Sequence, residues 1–340
     1  MRSFASDNNA TVCPEVIQKL KEVNIEHAIG YGDDKYTKQA IEYFKGHFGN
    51  ETDIYFVFTG TSANVLGISA VVNPYHSVIC ARTSHLNVDE CSAPERFLGA
   101  KLIPVDTGNG KLSRETVSPY LVGFNFEHHA QPKVISISQP TELGTVYSVE
   151  EIKELSEIAH ENNMFLHMDG ARLANASVAL NKTFADMTLH AGVDILSFGG
   201  TKNGLMAAEA VIFFNKTKSK DFKYIRKQGM QLGSKMRFIA AQFLAYFEND
   251  LWKINALNAN NMAKILTDKL HETVNPDIVY PVQTNAVFAK ISKELTEQLQ
   301  KEFFFYIWDD HSNVVRWMTS WDTTKKDIDL FIQAIARIVI

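Results

Sequence analysis

Two short apolar runs in the stretch 164–204 constrain the fold of this chain more than any other feature. The first run ends on Asp169, and the second leads within a few residues to Lys202, which is set among glycines. Apolar runs of this length, bounded by glycine and polar residues, are typical of strands buried in a parallel sheet. In open α/β sheets, ligands bind beyond the carboxyl ends of the strands. The pattern therefore predicts an α/β fold with Asp169 and Lys202 at one ligand-binding edge.

An aspartate and a lysine at one sheet edge suit the cofactor pyridoxal phosphate. The lysine forms a Schiff base with the cofactor, and the carboxylate pairs with its pyridine nitrogen. The alternatives are a turn or helix-cap role for Asp169 and a surface position for Lys202. His167 and Asp169 could also belong to a metal site, but no further His or Cys cluster lies near them, so we expect no metal.

Composition excludes several classes of function. A net charge of −5 gives no electrostatic basis for binding nucleic acid or an anionic membrane. The three cysteines, Cys13, Cys80 and Cys91, fit a reducing compartment better than a disulfide framework. The first nine residues lack the apolar core of a signal peptide, and no run approaches the roughly 20 apolar residues of a membrane span. We expect a soluble, cytoplasmic protein.

The order of apolar patterns predicts two domains behind an N-terminal arm. Short strand patterns alternate with helical patterns up to residue 214, which favours βαβ units and a mostly parallel sheet. Beyond residue 250 the order changes, with strands at 286–291, 303–308 and 314–319 and helices at 293–301 and 325–338. We therefore predict an arm at 1–13, a large cofactor-binding domain at 14–250 and a small α+β domain at 251–340.

Polar segments follow several of the predicted strands. Thr59-Gly60-Thr61-Ser62 lies between a strand at 54–58 and a helix at 65–72, where backbone N–H groups and hydroxyls would converge on an anion such as a phosphate. On its own this signal is weak, because Ser and Thr caps are common. His85 follows the strand 77–80 and could stack on a planar cofactor, move protons or simply face solvent.

Two further features could belong to a site. The strand pattern 134–138 runs into a polar loop that contains Glu142. Arg316 stands inside an otherwise apolar strand pattern, and a buried arginine needs a partner. That partner would be either a structural carboxylate or the carboxylate of a substrate held in a bidentate grip. The loop 30–34 is either a turn between helices or a polar site loop.

Taken together, these motifs resemble the low-specificity threonine aldolases, pyridoxal-phosphate enzymes with the aspartate-aminotransferase fold (fold type I). The resemblance covers nearly the whole chain. Its matching segments are Ser6-Asp7-Asn8, Gly30-Tyr31-Gly32-Asp33-Asp34, Gly60-Thr61, His85, His167-Met168-Asp169-Gly170-Ala171-Arg172, Thr201-Lys202, Met236-Arg237 and Arg316. Several motifs in the same order make the resemblance specific, although each motif alone is weak.

The resemblance implies a set of site residues. For the cofactor they are Lys202 as the Schiff-base lysine, Asp169 at the pyridine nitrogen, His85 stacked on the ring, Gly60 and Thr61 at the phosphate, together with Arg172 and Arg237. For the substrate they are Arg172 and Arg316 at the carboxylate, with Ser6 and Tyr31. Tyr31 and Arg237 would reach the site of a neighbouring subunit, because the family builds its active sites across a dimer within a homotetramer.

The activity that the resemblance implies is reversible cleavage of L-threonine or L-allo-threonine to glycine and acetaldehyde. Many family members have a histidine in the loop after the strand 134–138, where this chain has Glu142. The base that removes the β-hydroxyl proton is therefore left open between His85, Glu142 and a water molecule, as is the preference between the two diastereomers. Alternatives are β-elimination or transamination in the same fold, or a non-catalytic protein, which the presence of Lys202 disfavours.

Overall fold

Two β-sheets organise the computed structural model, which describes residues 3–214 and 216–339. Within these residues, the large sheet has seven strands in the order β1-β7-β6-β5-β4-β2-β3. The strands are β1 (Asp53–Val57), β2 (His76–Ala81), β3 (Lys101–Val105), β4 (Gln131–Ser138), β5 (Phe165–Gly170), β6 (Ile195–Gly199) and β7 (Glu209–Phe213). Only β7 runs antiparallel to its neighbours, so the predicted mostly parallel sheet is confirmed.

Three interior strands of the large sheet are buried along their whole length, which explains their continuous apolar sequences. Every residue of β2, β6 and β7 is buried. The β7 strand starts at the edge where its parallel neighbours end, because it runs in the opposite direction. Side chains at its first residue therefore lie beside the ends of β1 and β6.

Helices cover the large sheet and connect it to the small one. The α-helices are α1 (Pro14–Val23), α2 (Lys35–Phe48), α3 (Gly60–Ser69), α4 (His85–Val88), α5 (Ala93–Leu98), α6 (Arg114–Val117), α7 (Val149–Glu161), α8 (Leu173–Leu180), α9 (Phe184–Met187), α10 (Lys216–Ser219), α11 (Phe222–Gln228), α12 (Arg237–Phe247), α13 (Leu251–Thr273), α14 (Lys293–Leu299) and α15 (Lys325–Val339). Short 3-10 helices lie at Asp7–Asn9, Ser118–Tyr120, Leu189–Ala191, Thr201–Asn203 and Glu248–Asp250. Within the described residues, no helix is both long and apolar enough to cross a membrane.

One predicted helix boundary is wrong in a way that affects the site. The helix expected at 65–72 begins at Gly60, because the Thr59 side chain caps it by accepting a hydrogen bond from the Ser62 N–H. The segment Gly60 to Ser62 is thus the first helical turn rather than a loop before the helix. Its free N–H groups point along the helix axis, as in any helix N-terminus.

The four strands of the small sheet are antiparallel, and the N-terminal arm bonds beside them, with a parallel bridge between Ser3 and Phe304. In the described residues the small sheet contains four strands in the order β10-β11-β9-β8. They are β8 (Asp277–Ile278), β9 (Ala286–Lys290), β10 (Tyr306–Asp309) and β11 (Val314–Met318), so the strand predicted at 303–308 starts later than expected. Phe4 is fully buried against Phe303 and Phe331, and its backbone bonds to Phe304 and Met318. This anchoring carries the next residues of the arm toward the edge of the large sheet.

Candidate active site

Polar side chains from four parallel strands meet at one edge of the large sheet. His85 follows β2, Glu142 follows β4, Asp169 lies near the end of β5 and Lys202 follows β6. Glu209, the first residue of β7, lies at the same edge, opposite Gly199 in the register. The parallel topology therefore brings together residues far apart in sequence, as expected for a ligand-binding edge.

Asp169 is held in a fixed orientation as an ionised carboxylate. Its Oδ1 accepts a hydrogen bond from the Ala171 N–H at 2.9 Å, and its Oδ2 accepts one from Asn64 Nδ2 at 2.8 Å. Burial acts to raise the pKa of Asp169, but the nearby charges of Lys202 and His85 and these hydrogen bonds lower it below its ordinary value. The carboxylate can therefore pair with a cationic ring nitrogen at neutral pH.

The turn that carries Lys202 is fixed on both sides. On one side, the Thr201 N–H donates to Glu209 Oε1 at 3.3 Å. On the other, Asn203 Nδ2 donates to the Tyr246 hydroxyl and to the Trp252 carbonyl, both at 2.9 Å. Lys202 therefore projects from a rigid 3-10 turn rather than from a mobile loop.

The amine of Lys202 is available for reaction. Within residues 3–214 and 216–339 it has no hydrogen-bond or ion-pair partner, although Asp7, Asp169 and Glu209 act on its pKa. Burial, together with the charge of Arg172, lowers that pKa below the ordinary value of a lysine. A lysine with a lowered pKa has more neutral amine at a given pH, as nucleophilic attack on a carbonyl requires.

The two loops that carry Asp169 and Lys202 are closely packed at Gly199. A Cβ atom at this position would lie 2.7 Å from both the Cα and the carbonyl oxygen of Ala171. Backbone atoms cannot move away as the end of a flexible side chain can, so the residue must be glycine. The glycine pattern around Lys202 thus reflects close approach of the two strand ends.

His85 is positioned by two carboxylates. Its backbone N–H donates to Glu142 Oε1 at 2.7 Å, and its ring Nδ1 lies 2.8 Å from Glu90 Oε1. The hydrogen bond to Glu90 raises the pKa of His85 above 6.5, and this effect outweighs burial, which acts in the opposite direction.

Glu142 has one carboxylate oxygen bound and one free. Its Oε1 accepts hydrogen bonds from the Ser138 hydroxyl and the His85 N–H, each at 2.7 Å. Its Oε2 is buried and has no partner among the described residues. Burial raises the pKa of Glu142. A carboxylate with one fixed oxygen, one free oxygen and a raised pKa is suited to accept a proton.

Arg172 and Arg316 provide an excess of positive charge next to Lys202. Asp7 binds Arg172 through two hydrogen bonds, at 2.6 Å to Nε and 2.9 Å to Nη2, and also accepts one from Asn285. Arg316 donates from Nη2 to the Ala5 carbonyl at 3.3 Å, but its Nε is buried without a partner among the described residues. Among the described residues, Asp7 is therefore bonded to Arg172 but not to Arg316, which leaves the Arg316 guanidinium for an anion.

The Gly60–Thr61 segment leaves two backbone donors free. Among the described residues, the N–H groups of Gly60 and Thr61 have no acceptor, whereas that of Ser62 is bound by the Thr59 side chain. A Cβ atom at Gly60 would meet nothing within 4 Å, so the space in front of the helix is open. An anion such as a phosphate could bind there.

Among the described residues, Tyr31 and Arg237 have no bond to this cluster, whereas Ser6 contacts it through Asp7. Tyr31 is 53% exposed, and its ring faces Lys227. Arg237 donates to the carbonyls of Ile25 and Glu26. Ser6 accepts from the Asn8 N–H at 3.2 Å, and its hydroxyl donates to Asp7 Oδ1 at 3.4 Å, so it lies beside the Asp7–Arg172 pair.

The sequence model of the beta-eliminating lyase family matches residues 3–294. The chain belongs to the beta-eliminating lyase family. Among the relatives of this lyase is the low specificity L-threonine aldolase of Pseudomonas aeruginosa, which is 40% identical over 95% of this chain and 93% of its own. The enzyme of the same name from Pseudomonas sp. (strain NCIMB 10558) is 39% identical over the same shares of the two chains.

Solved structures confirm the fold of this lyase. The threonine aldolase of Leishmania major matches it with a TM-score of 0.94 and 27% identity, covering 100% of both chains. A putative L-allo-threonine aldolase from Listeria monocytogenes, at 18% identity and a TM-score of 0.72, shares the fold. The predicted resemblance and the predicted fold type are therefore confirmed.

Several residues of the lyase site were not predicted from the sequence. Asn64, Glu90 and Glu209 were not predicted, and Asp7 lay inside a matching motif without an assigned role. Glu209 directly precedes an apolar strand run, and a charged residue in this position indicates a side chain at the end of a buried strand. In the described part of the chain no group of three or more His, Cys, Asp or Glu side chains could hold a metal. His167 instead lies between two serine hydroxyls, those of residues 136 and 197.

Proposed function

We propose that this lyase cleaves L-threonine and L-allo-threonine to glycine and acetaldehyde with pyridoxal phosphate as its cofactor. The observation that carries the proposal is that Lys202, Asp169 and Arg172 lie together at one edge of the large sheet, with Arg316 of the small sheet near Arg172. Together they provide an amine, an ionised carboxylate and a site for an anion. The names of the relatives support the choice of substrate.

The residues present fit this cofactor. Lys202 has an unpartnered amine for covalent attachment, and Asp169 is an ionised carboxylate for the pyridine nitrogen. The free N–H groups of Gly60 and Thr61 suit the phosphate, and His85 would stack on the ring. When bound, the cofactor withdraws electrons from a breaking bond at the substrate α-carbon.

The arginine pair would select and orient the substrate. The excess positive charge of Arg172 and Arg316 would bind the α-carboxylate, with the unpartnered Nε of Arg316 as one donor. Fixing the carboxylate restricts rotation about the bond between the α-carbon and the amino nitrogen. This sets the orientation of the Cα–Cβ bond and favours its cleavage over that of the other bonds at the α-carbon.

We propose that Glu142 is the base that removes the β-hydroxyl proton in the cleavage direction. The β-hydroxyl proton passes to Glu142 Oε2, the electrons of the O–H bond form the aldehyde carbonyl, and the Cα–Cβ bond breaks. A proton then returns to the α-carbon to give glycine. Glu142 suits this role because its other oxygen is fixed by Ser138 and His85.

We further propose a homotetramer, a dimer of dimers, in which Tyr31 and Arg237 complete the site of a neighbouring subunit. Large apolar side chains are exposed near them in the chain, with Ile29 71% and Met230 77% exposed, as an interface between subunits would require. Mixing Lys202→Ala and Arg237→Ala subunits tests the sharing of sites, because hybrids would regain intact sites. Activity that stays at the level of the separate variants would contradict it.

A cytoplasmic location is also proposed. The three cysteines are free, and Cys13 and Cys80 are buried. Burial raises the pKa of Cys80 to about 11, so this thiol is unreactive at neutral pH. Unpaired cysteines are usual in a reducing compartment. Activity recovered in the soluble fraction of lysed cells would support this location, and activity released by gentle disruption of the envelope would contradict it.

The test of the proposed reaction is product analysis with L-threonine, L-allo-threonine and L-serine as parallel substrates. Acetaldehyde and glycine in equal amounts are expected from the first two. Ammonia with a keto acid would indicate β-elimination, and a keto acid without ammonia would indicate transamination. Either result would overturn the aldol cleavage while leaving the role of Lys202 intact.

A further inference from the structure

A chain of hydrogen bonds connects His85 to Asp169 through two residues that have no assigned role. His85 Nδ1 lies 2.8 Å from Glu90 Oε1, and the same oxygen accepts from Asn64 Nδ2 at 3.1 Å. Asn64 Nδ2 also donates to Asp169 Oδ2 at 2.8 Å. The two hydrogens of one amide nitrogen thus serve two different carboxylates.

The orientation of the Asn64 amide follows from this arrangement. If the amide were flipped, its oxygen would face two carboxylate oxygens, so only the nitrogen fits between Glu90 and Asp169. Its own Oδ1 is buried without a partner among the described residues. Leaving a buried acceptor unpaired is unfavourable. The two hydrogen bonds from Nδ2 to Glu90 and Asp169 therefore contribute more stabilisation than the unpaired oxygen costs.

Glu90 is a buried carboxylate that needs a positive partner. Its side chain is fully buried, and its Oε2 has no partner within residues 3–214 and 216–339. The only ionisable group bonded to it in these residues is His85. An ionised carboxylate in such a place is stable only when paired, so the imidazole would carry the proton.

We propose that Glu90 and Asn64 are positioning residues, in that Glu90 holds His85 as the imidazolium and Asn64 couples this pair to Asp169. This inference rests on the proposed function and deepens it. An imidazolium cannot accept the β-hydroxyl proton, which leaves that role to Glu142 or to a water molecule. The remaining ring nitrogen of His85, Nε2, has no partner among the described residues and is a donor toward bound ligands.

Charged groups from each neighbouring element act on His85. Glu90 and Asp169 favour the imidazolium, whereas burial and the charge of Lys202 disfavour it. Glu142 lies at the backbone N–H of the same residue. The net effect is a pKa of His85 above 6.5, in agreement with the geometry.

The charge of His85 can be measured directly in the full chain, with pyridoxal phosphate present. Exchange of the imidazole Cε1 hydrogen for deuterium depends on pH, with its midpoint at the pKa of the ring. Trypsin would release residues 83–96 as a peptide in which His85 is the only histidine. Mass spectrometry of this peptide therefore reports on His85 alone, whether or not the enzyme turns over.

We expect a midpoint above 6.5 in the unaltered chain and a fall of about one pH unit or more in Glu90→Gln. Glu90→Asp, which keeps the charge, should restore part of the shift. Asn64→Leu should move the midpoint upward, because Glu90 loses a competing donor. Glu95→Gln removes an exposed charge in the same peptide and serves as the matched control, with no shift expected.

The midpoint is expected to fall in Glu90→Gln and to rise in Asn64→Leu. A general loss of structure would shift the midpoint in the same direction in both variants, so the opposite signs identify an electrostatic role. A midpoint at or below 6.5 in the unaltered chain, or one that Glu90→Gln leaves in place, would overturn the proposal. A downward shift in Asn64→Leu would overturn the link to Asp169. If threonine were not cleaved but the midpoint shifts were observed, the proposed reaction would be contradicted and the proposed charge of His85 would be supported.

Discussion

Replacing Asp7 by asparagine tests the ion pair that organises the anion site. The Asp7 side chain is 1% exposed and that of Arg172 is 17% exposed, so the pair is not screened as a surface pair would be. The substitution removes the only carboxylate that Arg172 contacts among the described residues and leaves Arg316 nearby without compensation. Breaking a buried pair by removing one partner costs about 3–5 kcal/mol, and we expect this loss in the free energy of unfolding.

The pH dependence of this loss follows from the sign of the pKa shift. Burial acts to raise the pKa of Asp7, but the charge and hydrogen bonds of Arg172 lower it below 3.8. The stabilisation is therefore fully present above pH 3.8 and is lost only as the pH falls through the lower folded value. The difference between the Asp7→Asn variant and the parent should thus be the same at pH 5 and at pH 8.

Urea denaturation at fixed protein concentration measures this difference, since assembly would make stability concentration-dependent. Asp33→Asn changes an exposed aspartate in the same way and should alter the free energy of unfolding by less than about 0.5 kcal/mol. A loss below about 1 kcal/mol in Asp7→Asn, or one that disappears between pH 8 and pH 5, would refute the reasoning.

Three further substitutions test other parts of the site. Burial raises the pKa of Glu209 from 4.5 to about 7, so the ionised side chain destabilises the fold increasingly as the pH rises through this interval. Glu209→Gln should therefore raise the free energy of unfolding, measured with urea, by about 3 kcal/mol at pH 8 and should leave it unchanged near pH 4.5. Arg316→Lys loses the bidentate geometry and should lower kcat/KM for L-threonine roughly ten- to hundredfold, chiefly through KM, and an unchanged KM would count against carboxylate binding. Glu142→Gln should lower kcat by about 10² to 10⁴ without preventing cofactor attachment, and a full-rate variant would remove Glu142 as the base.

The sheet and its functional edge were predictable because their signals are local. Continuous apolar runs ending in polar and glycine residues indicate buried parallel strands, and parallel strands place their carboxyl ends together. These two rules are enough to place Asp169 and Lys202 at one edge from the sequence alone. The antiparallel direction of β7 was not predicted, since a short buried strand has the same composition in either direction.

The contacts that tune the site were not predictable in the same way. Asp7 reaches Arg172 across 165 positions of the chain, and Asn64 reaches Asp169 across 105. Whether a polar side chain is buried and paired depends on how the arm and α3 pack against the sheet, and no local pattern contains that information. Conversely, the exposed position of Tyr31 and the half-buried position of Arg237 agree with their proposed part in a neighbouring site, which a single chain cannot complete.

The central claim is that Lys202 binds the cofactor covalently, and reduction with borohydride tests it most directly. The protein is incubated with pyridoxal phosphate, reduced, digested with trypsin and analysed by mass spectrometry. We predict a phosphopyridoxyl group on Lys202, within a peptide left uncut at that residue, and no labelling at this site in Lys202→Ala. Labelling spread over surface lysines with Lys202 unmodified would contradict the account.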